Sequence, residues 1–324
     1  MPASPAISRS CRRGFTLVEV LVAMSVLSLL VLIYGSIFNN ASKAWITGGG
    51  NTERRRNARA LTDYIGNELK SALLPVETLS SAGKGNLQFV INPPATQVPD
   101  EYRHADAVFW QAPLATEATF GDIAEMGYFV KWDTSPTGEP LPQLCRFFVN
   151  PSSTDANGAI VQNPNYLIFD PNPTRWLSGT LIEAVAPATK ASGYLGLFGE
   201  NVVGLWVRSY GLDGKELPRS FDSRTGYTCE FKATDAAGMK LTWTEKRYLP
   251  AKVQISIAQV DSHYAHRLGL AAPRLRQIVA ATDVRDAAEF LARFRQDAAN
   301  APDLAPLLPG LRIYSTEVEL SNAR

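Results

Sequence analysis

Near the start of the chain, the sequence reads Arg12-Arg13-Gly14-Phe15-Thr16-Leu17-Val18-Glu19-Val20-Leu21-Val22-Ala23-Met24. A basic leader ends at Gly14, and in the apolar run that follows Glu19 is the only charged residue as far as Phe38. Residues 15–38 would form about 36 Å of helix, enough to cross a hydrocarbon core of about 30 Å. A carboxylate inside a membrane costs about 2.5–3.5 kcal/mol, so the presence of Glu19 requires an explanation.

The run Gly14-Phe15-Thr16-Leu17-Val18-Glu19 resembles the type III signal of type IV pilin-like proteins. The resemblance implies that prepilin peptidase cuts between Gly14 and Phe15 and then methylates the new N-terminal amine of Phe15. It also implies that Glu19 pairs with the N-terminal amine of a neighbouring subunit in an assembled filament. In a stack of parallel helices, an α-ammonium group at the same depth is the most available partner for a carboxylate.

Two other interpretations of the apolar run are an ordinary signal peptide and a plain signal anchor. The run is too long for a signal peptide and has no clear small-x-small cleavage site at its end. The six-residue motif, in its expected context, favours the pilin-like interpretation over a plain anchor. We therefore expect a leader over residues 1–14 and a transmembrane helix over residues 15–38 that stays with the mature protein.

Composition and charge are ordinary for a globular chain with one membrane segment: 324 residues, 45% hydrophobic and 19% charged. The formal net charge is +1, and loss of the three leader arginines leaves −2, which gives no indication of nucleic-acid binding. Arginines before the apolar run predict a cytoplasmic N-terminus. We expect a single-pass protein of the bacterial inner membrane with a periplasmic or extracytoplasmic head.

Three cysteines are present, and Cys11 leaves with the leader. Cys145 and Cys229 both fall in strand-like stretches of the exported part. They could form one disulfide, or they could be two buried free thiols. The sequence leaves both alternatives open, because it does not give the Cα separation that a bridge requires.

A second helical segment follows the membrane segment, and residues 39–75 are predicted to continue the N-terminal helix. Gly48-Gly49-Gly50 predicts a bend or short break, since each glycine weakens a helix by about 1 kcal/mol. From residue 51 helical character resumes, and Pro75 ends it. Its apolar stripe is formed by Leu61, Tyr64, Ile65, Leu69 and Leu73, and charged residues such as Glu68 are assigned to the remaining, solvated surface.

The exported head, residues 76–324, is dominated by strand patterns. The predicted strands cover residues 86–91, 107–111, 128–132, 144–149, 202–210, 228–232, 251–259 and 312–320. The loop 133–142 is predicted to join a hairpin, and residues 151–173 a long surface loop. A late helix is predicted over residues 283–298, with Asp283 or Thr282 as its N-cap.

These elements predict an α+β fold: a long N-terminal helix packed on a largely antiparallel sheet, with a C-terminal helix and strand. The layout resembles the larger minor pseudopilins, the J type of type II secretion and the W type of type IV pili. The triple glycine departs from the unbroken helix of those proteins.

A narrower resemblance is to the Verru_Chthon cassette protein C family. It rests on residues 104–114, 127–130, 145–148, 200–205, 249–261 and 312–318. The resemblance implies one of four exported pilin-signal proteins that are encoded together, and it brings no established molecular function.

No catalytic motif can be identified in the head: there is no Gly-x-Ser-x-Gly elbow, phosphate loop or His-Glu-x-x-His. Asp261, His263 and His266 form Asp-x-His-x-x-His, but no second cluster supplies further metal ligands, so a surface turn is expected. We predict no enzyme activity, no cofactor and no metal.

The predicted function is a minor pilin-like subunit whose partners are prepilin peptidase, other pilin-like subunits and the inner membrane. The alternative is a membrane-anchored binding module that does not polymerise, and an envelope hydrolase is disfavoured.

Overall fold

The computed structural model of the chain describes residues 17–73, 87–99, 104–134, 138–168, 175–178, 181–182, 196–234 and 238–323. The chain divides into two compact units, residues 1–57 and residues 58–324, and each is described by itself.

The first helix, α1, is Leu17–Leu69, 53 residues long. Its backbone stays helical through Gly48, Gly49 and Gly50, so the predicted break is wrong. Extending an existing helix past a poor residue costs about 1 kcal/mol, whereas a new helix must pay for nucleation again. The helix ends earlier than Pro75. The amide nitrogen of Ala72 donates to the carbonyl of Leu69 at 3.0 Å, which is the tight last turn that satisfies terminal carbonyls.

Thirteen strands lie in the described part of the chain. They are β1 Phe89–Ile91, β2 Val108–Ala112, β3 Ala124–Thr134, β4 Pro140–Val149, β5 Ser152–Thr154, β6 Ile160–Gln162, β7 Gly196–Glu200, β8 Val202–Tyr210, β9 Phe221–Asp222, β10 Tyr227–Thr234, β11 Lys240–Arg247, β12 Lys252–Val260 and β13 Leu311–Glu319.

The largest sheet has the order β7-β4-β3-β2-β1-β9, with antiparallel neighbours throughout. The predicted hairpin between β3 and β4 is confirmed, from the pair Glu125 and Val149 to the pair Thr134 and Pro140. The predicted loop 133–142 is too long, since both strands continue into it. Alternate side chains of β3 enter two different cores, Tyr128 on one face and Phe129 on the other. This sheet is therefore buried on both faces, which explains its nearly continuous apolar strands.

A second sheet, β13-β12-β8, shares one core with the large sheet. β8 has the predicted bounds, and β12 and β13 lie within one residue of theirs. Three α-helices lie between β12 and β13, α2 Ser262–Ala265, α3 Leu268–Val279 and α4 Ala287–Ala298, and a 3-10 helix, Ala305–Gly310, leads into β13. The sequence reading missed α3, whose buried residues include Leu275 and Ile278.

The helix α4 begins at Ala287, four residues later than predicted. Its N-cap is Asp286, whose carboxylate accepts hydrogen bonds from the backbone nitrogens of Ala288 and Glu289, both at 2.8 Å. Asp283 instead forms an ion pair with Arg293 at 2.9 Å. The prediction that Asp283 or Thr282 caps this helix is therefore wrong.

The segment 151–173, predicted to be a surface loop, contains the small hairpin β5–β6. Tyr166 and Ile168 are buried in the core that contains Phe129, so the described part of this segment, residues 151–168, covers one face of the large sheet rather than lying free on the surface. The α+β class with a largely antiparallel head and a C-terminal helix and strand is confirmed.

Candidate functional site

The predicted processing site, the bond between Gly14 and Phe15, lies outside the described residues. The backbone of Glu19 lies in helix α1, within the described residues, and its side chain is not among those described. The structure therefore places the predicted assembly residue on the helix, while Gly14 and Phe15 lie outside the described residues.

The apolar run forms a helix that is not buried by the rest of the chain. Among the described residues, Val20–Phe38 is the one helix long and apolar enough to cross a membrane, and none of it is buried. Its 19 residues correspond to about 28 Å of helix. Apolar side chains exposed all around a helix are typical of a segment whose solvent is lipid.

Two serines inside this run have their hydroxyl groups satisfied within the helix. Ser25 donates from Oγ to the carbonyl oxygen of Val22 at 2.8 Å, and Ser28 donates to that of Met24 at 2.8 Å. In hydrocarbon, an unpaired hydroxyl has no water to bind, so these bonds lower the cost of placing the serines there.

In the head, a buried charged cluster joins α1 to the large sheet. The guanidinium of Arg146 binds both carboxylate oxygens of Glu68, through Nη2 to Oε1 and through Nε to Oε2 at 3.3 Å. The hydroxyl of Tyr128 donates to Oε2 of the same carboxylate. Arg146 also lies over the ring of Phe148, 4.3 Å from its centroid. All three members of the cluster, Glu68, Arg146 and Tyr128, are buried.

The electrostatics of this cluster favour a fixed ion pair. Burial and the Glu68 carboxylate raise the pKa of Tyr128 well above its ordinary value. Burial, the largest single cause, would lower the pKa of Arg146. Its hydrogen bonds to Glu68 and the charges of Tyr128, Glu68 and Tyr64 together outweigh burial and raise that pKa. Neither group exchanges protons near neutral pH, so the cluster attaches helix to sheet and is not suited to acid–base chemistry.

Sequence reasoning missed this cluster because it assigned Glu68 to the solvated face of the helix. Two signals were available. Glu68 follows Ile65 by three residues, so it shares the buried stripe. Arg146 is the single charged residue in the apolar strand segment 144–149. A lone charge facing inward from each of two packed elements indicates an internal pair.

Cys145 and Cys229 are both buried and free, so no disulfide joins them in this structure. Cys145 lies in β4 of the large sheet and Cys229 in β10 of a separate hairpin. Burial raises the pKa of Cys145 to about 12, which keeps that thiol protonated and unreactive.

The described contacts of His263 and His104 are a helix cap and a ring contact in the head. Asp261 caps the short helix α2 by accepting from the backbone nitrogen of His263 at 2.9 Å. His104 packs against the edge of the Trp132 ring, and burial, with a contribution from Arg276, lowers its pKa to about 4. Within the described ranges, no group of three or more His, Cys, Asp or Glu side chains could hold a metal ion.

Comparison with known families gives one match. The prokaryotic N-terminal methylation motif matches residues 9–34 of this chain. No curated protein and no solved structure matches the chain. The matched residues include Gly14, Phe15 and Glu19, so the N-terminus carries the motif that prepilin peptidase processes, which supports a type IV pilin-like protein. With the apolar helix behind it, the motif fits a single-pass inner-membrane anchor.

Proposed function

We propose that this chain is a minor pilin-like subunit, a pseudopilin, that assembles with other pilin-like proteins in the bacterial envelope. The observation that carries the proposal is the continuity of the methylation motif with an unburied apolar helix. That helix extends as α1 to Leu69, where its last turns pack on the β-sheet head through Ile65 and Leu69. A lipid-soluble helix joined to a folded head suits a subunit that waits in the membrane before assembly.

The proposed sequence of events uses three residues in separate roles. Prepilin peptidase hydrolyses the Gly14–Phe15 peptide bond on the cytoplasmic side and methylates the new amine of Phe15. The carboxylate of Glu19 then pairs with the α-ammonium group of a neighbouring subunit. The apolar sequence itself offers no other cation, because no basic residue occurs between Arg13 and Lys43. Pairing removes the cost of an isolated charge in lipid.

In this proposal the chain is the substrate of an enzyme and not itself an enzyme, and its head lies outside the inner membrane. The narrower resemblance, to the Verru_Chthon cassette protein C family, supports partners among the pilin-signal proteins encoded with it. A pull-down from solubilised membranes that identifies those proteins would support this part of the proposal.

The first test is mass spectrometry of the mature N-terminus. We expect a chain that begins with N-methylated Phe15. An intact leader, or a cut beyond Ile33 as a signal peptidase would make, contradicts the proposal.

The second test separates assembly from simple anchoring. We expect Glu19→Ala to leave membrane insertion intact and to abolish co-purification with other pilin-like subunits. Glu53→Ala, which removes a carboxylate of the same helix outside the apolar run, is the matched control and should co-purify normally. If Glu19→Ala has no effect, the chain is better described as an anchored binding module that does not polymerise.

A further inference from the structure

The strands β10 and β11 form a hairpin that stands apart from the two large sheets. They pair over eight residues, from Tyr227 with Arg247 to Thr234 with Lys240. Eight residues of strand are about 26 Å long. In the described part of the chain neither strand pairs with a third one, so both outer edges present unpaired backbone groups. Two-stranded hairpins are marginally stable in water on their own.

The hairpin is amphipathic. Because strand side chains alternate and paired residues share a face, one face carries mainly apolar side chains. They are Tyr227, Cys229, Phe231, Ala233, Leu241 and Trp243. On the opposite face, threonines alternate with one glutamate and three lysines. This pattern is that of a sheet with one face buried and one in water.

Only the base of the apolar face is covered. Tyr227 packs against Phe221 with ring centroids 6.1 Å apart, and Cys229 is buried. Further out, the rings of Phe231 and Trp243 stack at 5.5 Å, yet Trp243 is 43% exposed and Leu241 is 45% exposed. Both exposed residues belong to β11, so the uncovered apolar surface lies along that strand.

Lipid is a poor occupant for this surface. The outer edges of β10 and β11 carry backbone N–H and C=O groups that cannot form hydrogen bonds in hydrocarbon. Each such group adds to the free-energy cost of inserting the hairpin into a membrane. An inserted hairpin would place Leu241 and Trp243 in an apolar medium while leaving both edges unpaired.

A second copy of the same hairpin is also a poor occupant. When two β11 strands pair antiparallel about Trp243, seven of the eight strand residues are paired, and Lys240 of each copy lies directly opposite Lys246 of the other. Like charges in directly opposed positions destabilise a strand pair, and lysines on an edge strand are a known barrier to self-association.

We propose that the β11 edge binds an extended strand of another protein in which apolar and acidic residues alternate. The added strand would satisfy the unpaired backbone of β11. Its apolar residues would cover Leu241 and Trp243, and its acidic residues would lie beside Lys240 and Lys246 on the other face. Edge pairing supplies the affinity in such complexes, and alternate side chains supply the specificity. This inference concerns the head alone and does not depend on N-terminal processing or on Glu19.

The test uses the full-length protein in detergent and a defined probe, the fluorescent peptide acetyl-(Glu-Val)4-amide, whose eight residues match the length of β11. A block peptide with the same composition, Glu4Val4, controls for charge without alternation. An alternating Lys-Val peptide controls for the sign of charge. We expect saturable anisotropy changes with the first peptide and at least about tenfold weaker binding of the other two.

Two exposed lysines allow a matched set of variants. The double variant Lys240→Glu with Lys246→Glu should weaken the Glu-Val peptide at least about tenfold and create binding of the Lys-Val peptide. Lys232→Glu reverses one lysine charge on the same face of the neighbouring strand β10 and should leave the preference unchanged. Circular dichroism should show the same fold in all three proteins.

The role of the backbone is tested by N-methylating alternate residues of the Glu-Val peptide, which blocks one edge of hydrogen bonding. Loss of binding supports strand addition. Equal binding of the methylated or block peptide, or no reversal in the double variant, overturns the proposal. So does hairpin-dependent binding to phosphatidylglycerol vesicles, or a cross-link from position 243 to position 243 of a second copy.

Discussion

Helix α1 contains two apolar stretches with opposite surroundings. In residues 17–38 every described side chain is exposed, whereas in residues 61–73 one stripe, including Ile65 and Leu69, is fully buried in the head. The buried stripe finds its apolar partners within the chain. The exposed stretch requires partners from outside, and its length matches lipid. The same helix therefore presents an exposed apolar surface that fits a membrane anchor in one unit and forms part of an internal core in the other.

Each stretch also carries one carboxylate in an apolar setting, Glu19 in the first and Glu68 in the second. Glu68 is neutralised by Arg146 of the same chain. No basic residue occurs in the sequence between Arg13 and Lys43, so an equivalent partner for Glu19 within the run does not exist. A glutamate with an internal partner contributes to folding, and in the proposed function Glu19 takes its partner from a neighbouring chain.

The largest effect on folding is expected from Arg146→Leu, which leaves the Glu68 carboxylate buried without its partner. Breaking a buried pair from one side costs about 3–5 kcal/mol. Urea unfolding of the full-length protein in detergent, followed by tryptophan fluorescence, measures this loss.

Two controls sharpen that measurement. The double variant Glu68→Leu with Arg146→Leu removes both charges and should recover most of the lost stability. Asp63→Ala removes an exposed i,i+4 partner, 3.9 Å from Arg59, and should cost less than about 0.5 kcal/mol. A double variant as unstable as Arg146→Leu would contradict the role assigned to the pair.

A matched pair of leucines tests the contrast between the two stretches. Leu69 is fully buried, so Leu69→Ala should lower the free energy of unfolding of the head by about 2–5 kcal/mol. Leu27 is 62% exposed, and Leu27→Ala should leave that free energy unchanged. Equal effects in the same urea titration would show that the apolar run packs on the head after all.

Much of the head follows from sequence pattern. Clean alternation set β12 to within a residue, because alternating side chains match a pleated surface with one face more buried than the other. Apolar residues on both faces of β8, and the Pro309-Gly310 turn before β13, located those strands equally well. The strand β11 was missed because only Leu241 and Trp243 on its alternating face are apolar, while Glu245 and Arg247 on the same face are charged. Helix α4 was extended too far because Asp283 and Asp286 are both plausible caps, and only the backbone conformation selects Asp286.

Of the candidate site residues, those of the processing motif could be predicted from the sequence, whereas the buried pair could not. The processing motif is a local signal and can be read directly from Gly14, Phe15 and Glu19. The pair of Glu68 and Arg146 is separated by 78 residues, so only the fold brings it together. The helix through Gly48–Gly50 could not be predicted from propensity, since glycine weakens a helix without specifying where it ends.

A third carboxylate extends the comparison to pH. Glu125 is fully buried in β3, and one oxygen accepts from the backbone nitrogen of Leu167 at 3.2 Å. Burial raises its pKa well above the ordinary value of 4.5, so the folded state favours the protonated acid. Its stabilising contribution is complete below about pH 4.5 and is lost as the pH rises towards the folded-state pKa.

Glu125→Gln removes this titration. The free energy of unfolding of the variant should therefore rise relative to the parent as the pH increases from about 4 to about 8. Urea titrations across that range measure the difference. Parallel pH profiles for the two proteins would show that Glu125 is ionised in the fold.

The smallest expected effect concerns the triple glycine between the two stretches. Gly49→Ala should stabilise the helix by about 0.5–1 kcal/mol, because alanine loses less backbone entropy than glycine. Amide hydrogen exchange of residues 46–52 should then slow by roughly two- to fivefold.

Gly66→Ala is the contrasting variant. Its new Cβ would lie 3.1 Å from Cγ2 of Val318, and this crowding should offset the gain. The contradicting result is that Gly49→Ala leaves the amide exchange of residues 46–52 unchanged while Gly66→Ala slows exchange around position 66. In that case the helix is interrupted at the glycines, and the two stretches are separate helices.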